Sequence, residues 1–283
     1  MYTTLISTQD VAQNLDNPDW AIIDCRFNLS DTEAGRRAYR DGHIPGAQYA
    51  HLDEGLSGPV KPGKTGRHPL PNPDVAAMRF ERLGIGNGTQ VVAYDDSGGM
   101  VAARLWWMLR WLGHDAVAVL DGGWPRWIGE GRLLETAIPV ARPRAFIPHP
   151  RPEFLVGINT VEKVRREPAF KLVDSRAAER YRGEVEPIDP VAGHIPGALN
   201  LPNTETLGAE GLFLSEEALK AHFQQALGEA EAKQTIFYCG SGVSACRNIL
   251  AYKHAGLGDA KLYPGSWSEW ITDPEREVSV GEG

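Results

Sequence analysis

Short apolar runs and longer stretches with a helical apolar period alternate along the chain. Trp20-Ala-Ile-Ile23, Gln90–Tyr94 and Ala116–Leu120 are brief runs of β-branched, aromatic and small apolar residues, the mark of strands buried on both faces. Between the second and third of them, Val101–Leu112 carries a broad apolar face, with Trp106, Trp107 and Trp111 along a core stripe, and predicts a helix. The order returns in the second half. Lys171–Asp174, Thr235–Tyr238 and Lys261–Tyr263 predict strands, and the stretch from Ser244 to Tyr252 predicts a helix stopped by Gly256. Strand and helix in alternation predict an α/β fold, a parallel sheet with helices on both faces.

Residue identities repeat as well as element types. Ile23-Asp24-Cys25-Arg26 returns as Val173-Asp174-Ser175-Arg176, and Gly42-His43-Ile44-Pro45-Gly46-Ala47 returns as Gly193-His194-Ile195-Pro196-Gly197-Ala198. Asp121-Gly122-Gly123-Trp124 returns as Pro264-Gly265-Ser266-Trp267. A domain-sized period of this kind predicts two tandem copies of one fold, residues 1–137 and 154–283. Between them, 138–153 holds prolines at 139, 143, 148, 150 and 152, the composition of a semi-rigid linker. His43 and His194 share one context in both copies, which predicts a structural role in which a ring N–H ties the turn.

Composition narrows the class. At 283 residues, 42% hydrophobic and 23% charged, the chain is sized and balanced for two globular cores. A net charge of −8 argues against a nucleic-acid partner and requires any anionic substrate to be drawn by a local positive site. No run of 18 or more apolar residues suggests a membrane span, and the first residues lack the basic-then-apolar pattern of a signal peptide. Three cysteines, at 25, 239 and 246, form neither a disulfide framework nor a zinc-ligand spacing; no cofactor or metal is expected, and a reducing cytoplasm is the expected compartment.

The chemistry gathers at Thr235–Arg247. Cys239 follows a buried-type strand, at the carboxyl edge where open α/β sheets place ligands. Gly240 and Gly242 are read as residues that give the short loop backbone angles a Cβ would forbid, and the loop leads into a helix N-terminus. Backbone N–H groups along Gly240, Gly242, Val243 and Ser244 can then face whatever the sulfur carries. An ordinary thiol is only a few per cent ionised at neutral pH. A helix terminus contributes about 0.3–1 kcal/mol toward an anion, so direct N–H bonds and a nearby cation must supply more. Cys246, two helical turns along, is read as a buried helix residue. The first copy has Tyr94-Asp95-Asp96-Ser97-Gly98-Gly99-Met100 where the second has Tyr238–Ser244, with Asp95 in place of Cys239. A carboxylate cannot stand in for a thiol nucleophile, so the first copy is expected to be catalytically inactive and to lend residues to the second.

Cys239-Gly-Ser-Gly-Val-Ser-Ala resembles the active loop of the rhodanese superfamily, Tyr39–Ala47 its N-terminal signature, and Ala260–Trp270 its C-terminal one. The resemblance covers nearly the whole chain. It implies two rhodanese-like domains and a sulfurtransferase that moves sulfur from 3-mercaptopyruvate, or alternatively from thiosulfate, through a Cys239 persulfide. The acceptor would be cyanide, a small thiol or thioredoxin. By match of motif it also implies that Ser241 works with His68, in Arg67-His68-Pro69, and with Asp53, in His51-Leu52-Asp53. Arg180 and Arg182, in Glu179-Arg180-Tyr181-Arg182-Gly183, are candidates for the substrate's anionic group through paired guanidinium hydrogen bonds. Mercaptopyruvate enzymes of the family carry a second substrate arginine downstream, but here Glu184–Pro190 contains none, which keeps thiosulfate in view as donor. Arg67 could add positive field.

Two other classes share parts of this pattern. Cysteine phosphatases use Cys-x5-Arg, yet six positions after Cys239 stands Ala245, and Arg247 comes eight after. A third class is a non-enzymatic binding or sulfur-carrier module, against which the intact cysteine and its glycine loop argue together.

Overall fold

A computed structural model describes residues 1–282. The strands among the described residues are β1 (Leu5–Ile6), β2 (Trp20–Asp24), β3 (Gln48–Tyr49), β4 (Gln90–Tyr94), β5 (Val117–Leu120), β6 (Lys171–Asp174), β7 (Leu199–Asn200), β8 (Thr235–Tyr238) and β9 (Lys261–Leu262). They form two sheets, ordered β1-β5-β4-β2-β3 and β7-β6-β8-β9, with every pairing parallel. Each sheet is flanked by helices, so the chain holds two α/β domains. The second sheet is one strand short, where Leu155 makes only an isolated parallel bridge to Leu262.

Contacts divide the chain into two compact units. The first comprises residues 1–58, 71–151 and 209–212, and the second residues 59–70, 152–208 and 213–283. The Pro-rich stretch expected as a linker has no helix or strand before Pro152, and up to Arg151 it lies along the first unit. There Phe146 N–H reaches Glu81, Ile147 exchanges hydrogen bonds with Asn87, and Arg151 pairs with Asp115.

The repeated sequence segments become one repeated network. In the first unit the Arg26 guanidinium grips Asp24, donates to the Gly42 carbonyl at 2.6 Å and lies 4.2 Å over the Trp124 ring. In the second, Arg176 grips Asp174, donates to the Gly193 carbonyl at 2.6 Å and lies 4.9 Å over Trp267. These pairs are buried, so removing one partner would cost about 3–5 kcal/mol by stranding the other charge. His43 and His194 play the tying role expected of them, each ring Nδ1 standing 2.8 Å from a carbonyl, of Tyr39 and Tyr181. Apolar layers around Ile22, Val92, Tyr94 and Trp127 in one unit, and Leu172, Ile236, Tyr238 and Trp270 in the other, complete the cores.

Candidate active site

Strand β8 ends at Tyr238, so Cys239 emerges at the carboxyl edge of the second sheet, and the helix Ala245–His254 begins six residues later. Gly242 N–H points at the Cys239 sulfur at 3.2 Å. The loop is fixed from the other side by the start of the helix Ser266–Trp270. Trp267 N–H donates to the Cys239 carbonyl and Ser268 N–H to the Gly240 carbonyl, both at 2.9 Å. Cys239 N–H donates to Ser266 Oγ at 3.1 Å. Ser266 is buried and holds φ +56°, the single non-glycine residue with positive φ among the described residues. Strain at such a position persists only where the surroundings over-determine it, and here the hydroxyl it places fixes the cysteine backbone.

The two loop glycines serve different ends, which corrects the sequence reading. Gly242 has φ +75°, and a Cβ there would stand 2.3 Å from the Pro264 carbonyl oxygen, so its backbone does require glycine. Gly240 is outside the left-handed region. What it provides is room: a Cβ would lie 2.8 Å from Arg67 Nη2 and 3.7 Å from both terminal nitrogens of Arg180. Val243 and Ser244 form the turn into the helix, their carbonyls accepting from the Cys246 and Arg247 amides. Cys246 is a buried helix residue as expected, its thiol 3.4 Å from the Gly242 carbonyl oxygen.

Residues 66–68 run along this loop as part of the second unit. A Cβ at Gly66 would meet the Gly265 carbonyl at 2.5 Å, and Arg67 N–H donates to Ser268 Oγ at 3.1 Å. The next residue brings His68 Nδ1 to 2.7 Å from Ser241 Oγ, with both side chains buried. A hydroxyl in contact with an imidazole can orient or pass a proton. Asp53 belongs to the first unit, exposed in the first turn of the helix Leu52–Gly55; burial of part of its surroundings raises its carboxyl above the usual range.

The two candidate arginines separate. Arg182 turns to Glu184, at 2.8 and 2.9 Å, and to Glu282. Arg180 stays beside Gly240, held by Glu186 at 2.7 and 2.9 Å and by Asp189 at 3.3 Å. Asp189 also pairs with Arg67, through its other oxygen. Burial works against the Glu186 carboxylate, yet Arg180 and the amides of Ile188 and Asp189 hold it below its usual range. For Asp189 burial prevails and raises it, against the pull of Arg67 and Arg180. Trp267 is wholly buried, its indole N–H on the Val191 carbonyl, and takes a packing role.

In the first unit Asp95 follows β4 as Cys239 follows β8, with one residue more before the helix Ala102–Trp111 begins. Its carboxylate is buried and accepts four loop amides: Ser97 and Gly99 at 2.8 Å on one oxygen, Val101 at 2.7 Å and Ala102 at 2.8 Å on the other. Among the described residues, no helix is long and apolar enough to cross a membrane.

Comparison with known proteins agrees with this architecture. The rhodanese-like domain family matches residues 7–130 and 159–273. A probable 3-mercaptopyruvate sulfurtransferase of Pseudomonas aeruginosa is 46% identical over 279 residues, covering 98% of each chain. A putative thiosulfate sulfurtransferase of Mycobacterium tuberculosis is 39% identical over 263 residues, 92% of this chain and 91% of that one. Among solved structures, SseA from Escherichia coli, described as a 3-mercaptopyruvate sulfotransferase of rhodanese fold, superposes with TM-score 0.81 at 32% identity over 95% of this chain and all of that one. A match in both halves, and relatives aligned from end to end, establish that this chain belongs to the rhodanese family, among relatives named as sulfurtransferases.

Proposed function

We propose that this chain is a sulfurtransferase that takes the thiol sulfur of 3-mercaptopyruvate and passes it on through a persulfide on Cys239. The Cys239 thiolate attacks the donor sulfur and an S–S bond forms. The donor's C–S bond breaks, its electron pair passes to carbon as the enolate of pyruvate, and that enolate takes up a proton. The outer sulfur then leaves for an acceptor thiolate or cyanide, which regenerates the Cys239 thiolate; such a double displacement gives ping-pong kinetics. Cyanide, a small thiol or thioredoxin would serve as acceptor in a cytoplasmic setting.

The observation that supports this best is the Cys239 sulfur at a sheet edge with a loop amide at 3.2 Å, and Arg180 beside the neighbouring glycine. His68 and Ser241 are assigned the proton that the enolate takes up. Asp53 joins them on the resemblance of its segment alone. Arg180 binds the donor carboxylate, with loop amides from Gly240 to Ser244 around the transferred sulfur. Arg182, occupied with Glu184, is assigned a supporting part at the edge of the site. Catalysis belongs to the C-terminal domain, and the N-terminal domain, with Asp95 at the matching place, carries no sulfur.

Thiosulfate is the second reading, favoured by the 39% identity to the mycobacterial relative. Incubation with mercaptopyruvate alone should add about 32 Da, one sulfur atom, to the peptide carrying Cys239. Thiocyanate formation from cyanide should disappear in Cys239→Ser. A gain from thiosulfate but not mercaptopyruvate would move the assignment to the second reading, and an unmodified peptide with both donors would overturn it.

A further inference from the structure

Two consecutive residues from the segment 66–68 each deliver a functional group to the cysteine loop, yet the mechanism above uses only one of them. His68 meets Ser241. Arg67 meets Gly240: the space a methyl group would fill there is 2.8 Å from Arg67 Nη2 and 3.7 Å from Arg180 Nη1 and Nη2. Two guanidinium groups thus converge on one small volume, one residue along the chain from the nucleophile.

The cations are aimed there by buried carboxylates. Asp189, 3% exposed in its side chain, takes Arg67 on one oxygen and Arg180 Nη2 on the other, while Glu186, 4% exposed, takes Arg180 through Nε and the same Nη2 and receives Arg176 at 3.3 Å. Arg67 is further tied through its N–H to Ser268 Oγ, the same serine whose own N–H holds the Gly240 carbonyl. Arg67 Nε is buried without a hydrogen-bond partner in the protein. Guanidinium groups secured on one side in this way keep the remaining N–H donors in a fixed direction, as carboxylate recognition requires.

The position of the pair discriminates between donors. In thiosulfate the charged oxygens sit on the atom bonded to the transferable sulfur, nearer to it than a carboxylate two carbons away. In a 3-mercapto-2-oxo acid the carboxylate is separated from the sulfur by two carbons, so its partner must stand a few ångströms to one side. Neighbouring α-carbons are about 3.8 Å apart, and Gly240, not Cys239, is where the guanidiniums meet.

We propose that Arg67 is a donor-specificity residue which, together with Arg180, clamps the carboxylate of a 2-oxo acid over Gly240. The proposal rests on the sulfurtransferase reading for its substrate, and its test contains an arm that does not require turnover. In that arm, pyruvate is the probe: it should protect Cys239 of the wild type from alkylation by iodoacetamide, and Arg67→Ala should need about 10- to 100-fold more pyruvate for equal protection. In the kinetic arm, with cyanide as acceptor, Arg67→Ala should lower kcat/KM for mercaptopyruvate by about the same factor, chiefly through KM, and change that for thiosulfate less than about threefold. Arg67→Lys keeps the charge and loses the fork, so it should recover part of the loss; it also serves if the alanine variant fails to fold. Pyruvate protection that is absent in the wild type, or equal in wild type and both variants, overturns the assignment whether or not mercaptopyruvate turns over. Equal losses with both donors would overturn it as well. Failure of the wild type to gain sulfur from mercaptopyruvate, with Arg67-dependent protection intact, would instead count against the function and leave the clamp standing.

Discussion

The loop after β4 and the loop after β8 are built on one frame and finished in opposite ways. Both follow a strand whose terminal tyrosine lies beside a buried aspartate, in register Asp24 with Tyr94 and Asp174 with Tyr238. Both are latched by a tryptophan N–H on the first loop carbonyl, Trp124 on Asp95 at 2.8 Å and Trp267 on Cys239 at 2.9 Å. In the first an aspartate carboxylate accepts four backbone amides. In the second the residue is a thiol that receives the Gly242 amide, in a loop shorter by one residue. The Asp95 loop therefore displays what this backbone turn does with a carboxylate, and the Cys239 loop turns one of its amides to a thiol.

Exchange of the two residues gives the largest effect. Cys239→Asp should abolish sulfur transfer, by at least about a thousandfold, and yet unfold at a higher temperature than Cys239→Ala, because the carboxylate supplies the loop amides with an acceptor. Thiocyanate assays and thermal melts check both halves of this expectation; a variant less stable than the alanine one would show that the loops do not share an anion-binding turn. Next in size, Asp95→Asn turns an amide NH2 toward two of the four N–H donors and should destabilise the protein by on the order of 3 kcal/mol, measured by urea denaturation. A loss under about 0.5 kcal/mol would mean that the carboxylate is not what holds that loop. The smallest contrast concerns Gly123 and Ser266, with φ of +53° and +56°. A Cβ on Gly123 would stand 2.3 Å from the Asp95 carbonyl oxygen, so Gly123→Ala should cost about 1–3 kcal/mol. Ser266→Gly relieves an unfavourable φ and loses the hydroxyl on Cys239 N–H, two effects of about 1 kcal/mol and opposite sign. Near-equal losses in the two variants would remove this distinction.

The fold was legible because its repeats are short and chemically unmistakable. Asp-x-Arg, Gly-His-Ile-Pro-Gly and the Gly-x-Trp segments mark a buried ion pair, a tied turn and a latch, each formed in both units. The place of Cys239 was legible for a local reason too, a cysteine and two glycines between a strand and a helix. His68 came only through family resemblance, since 173 residues separate it from Ser241 and no periodicity reports a contact of that range. Arg67 carried less signal still, read only as a neighbour of His68 that could add positive field. The absence of arginine from Glu184–Pro190 kept thiosulfate in view as donor, although a second guanidinium reaches Gly240 from residue 67, held by the carboxylate of Asp189 within that same stretch. Arg180 and Arg182 were indistinguishable by type and spacing. The helix Ala178–Tyr181 ends between them and sends one to Glu186 and the other to Glu184. Gly240 was misread for a related reason: what it avoids is a distant side chain, and only the folded chain brings that side chain near.

The membership of residues 59–70 in the second unit has a consequence for how the gene can change. An ancestor that doubled a single reading frame could at first have discarded either half. Once a piece encoded upstream had become part of the downstream globule, deletion of the first copy would carry off Arg67 and His68 with it. Duplication is ordinarily reversible; this splice of one copy into the other turns it into a ratchet.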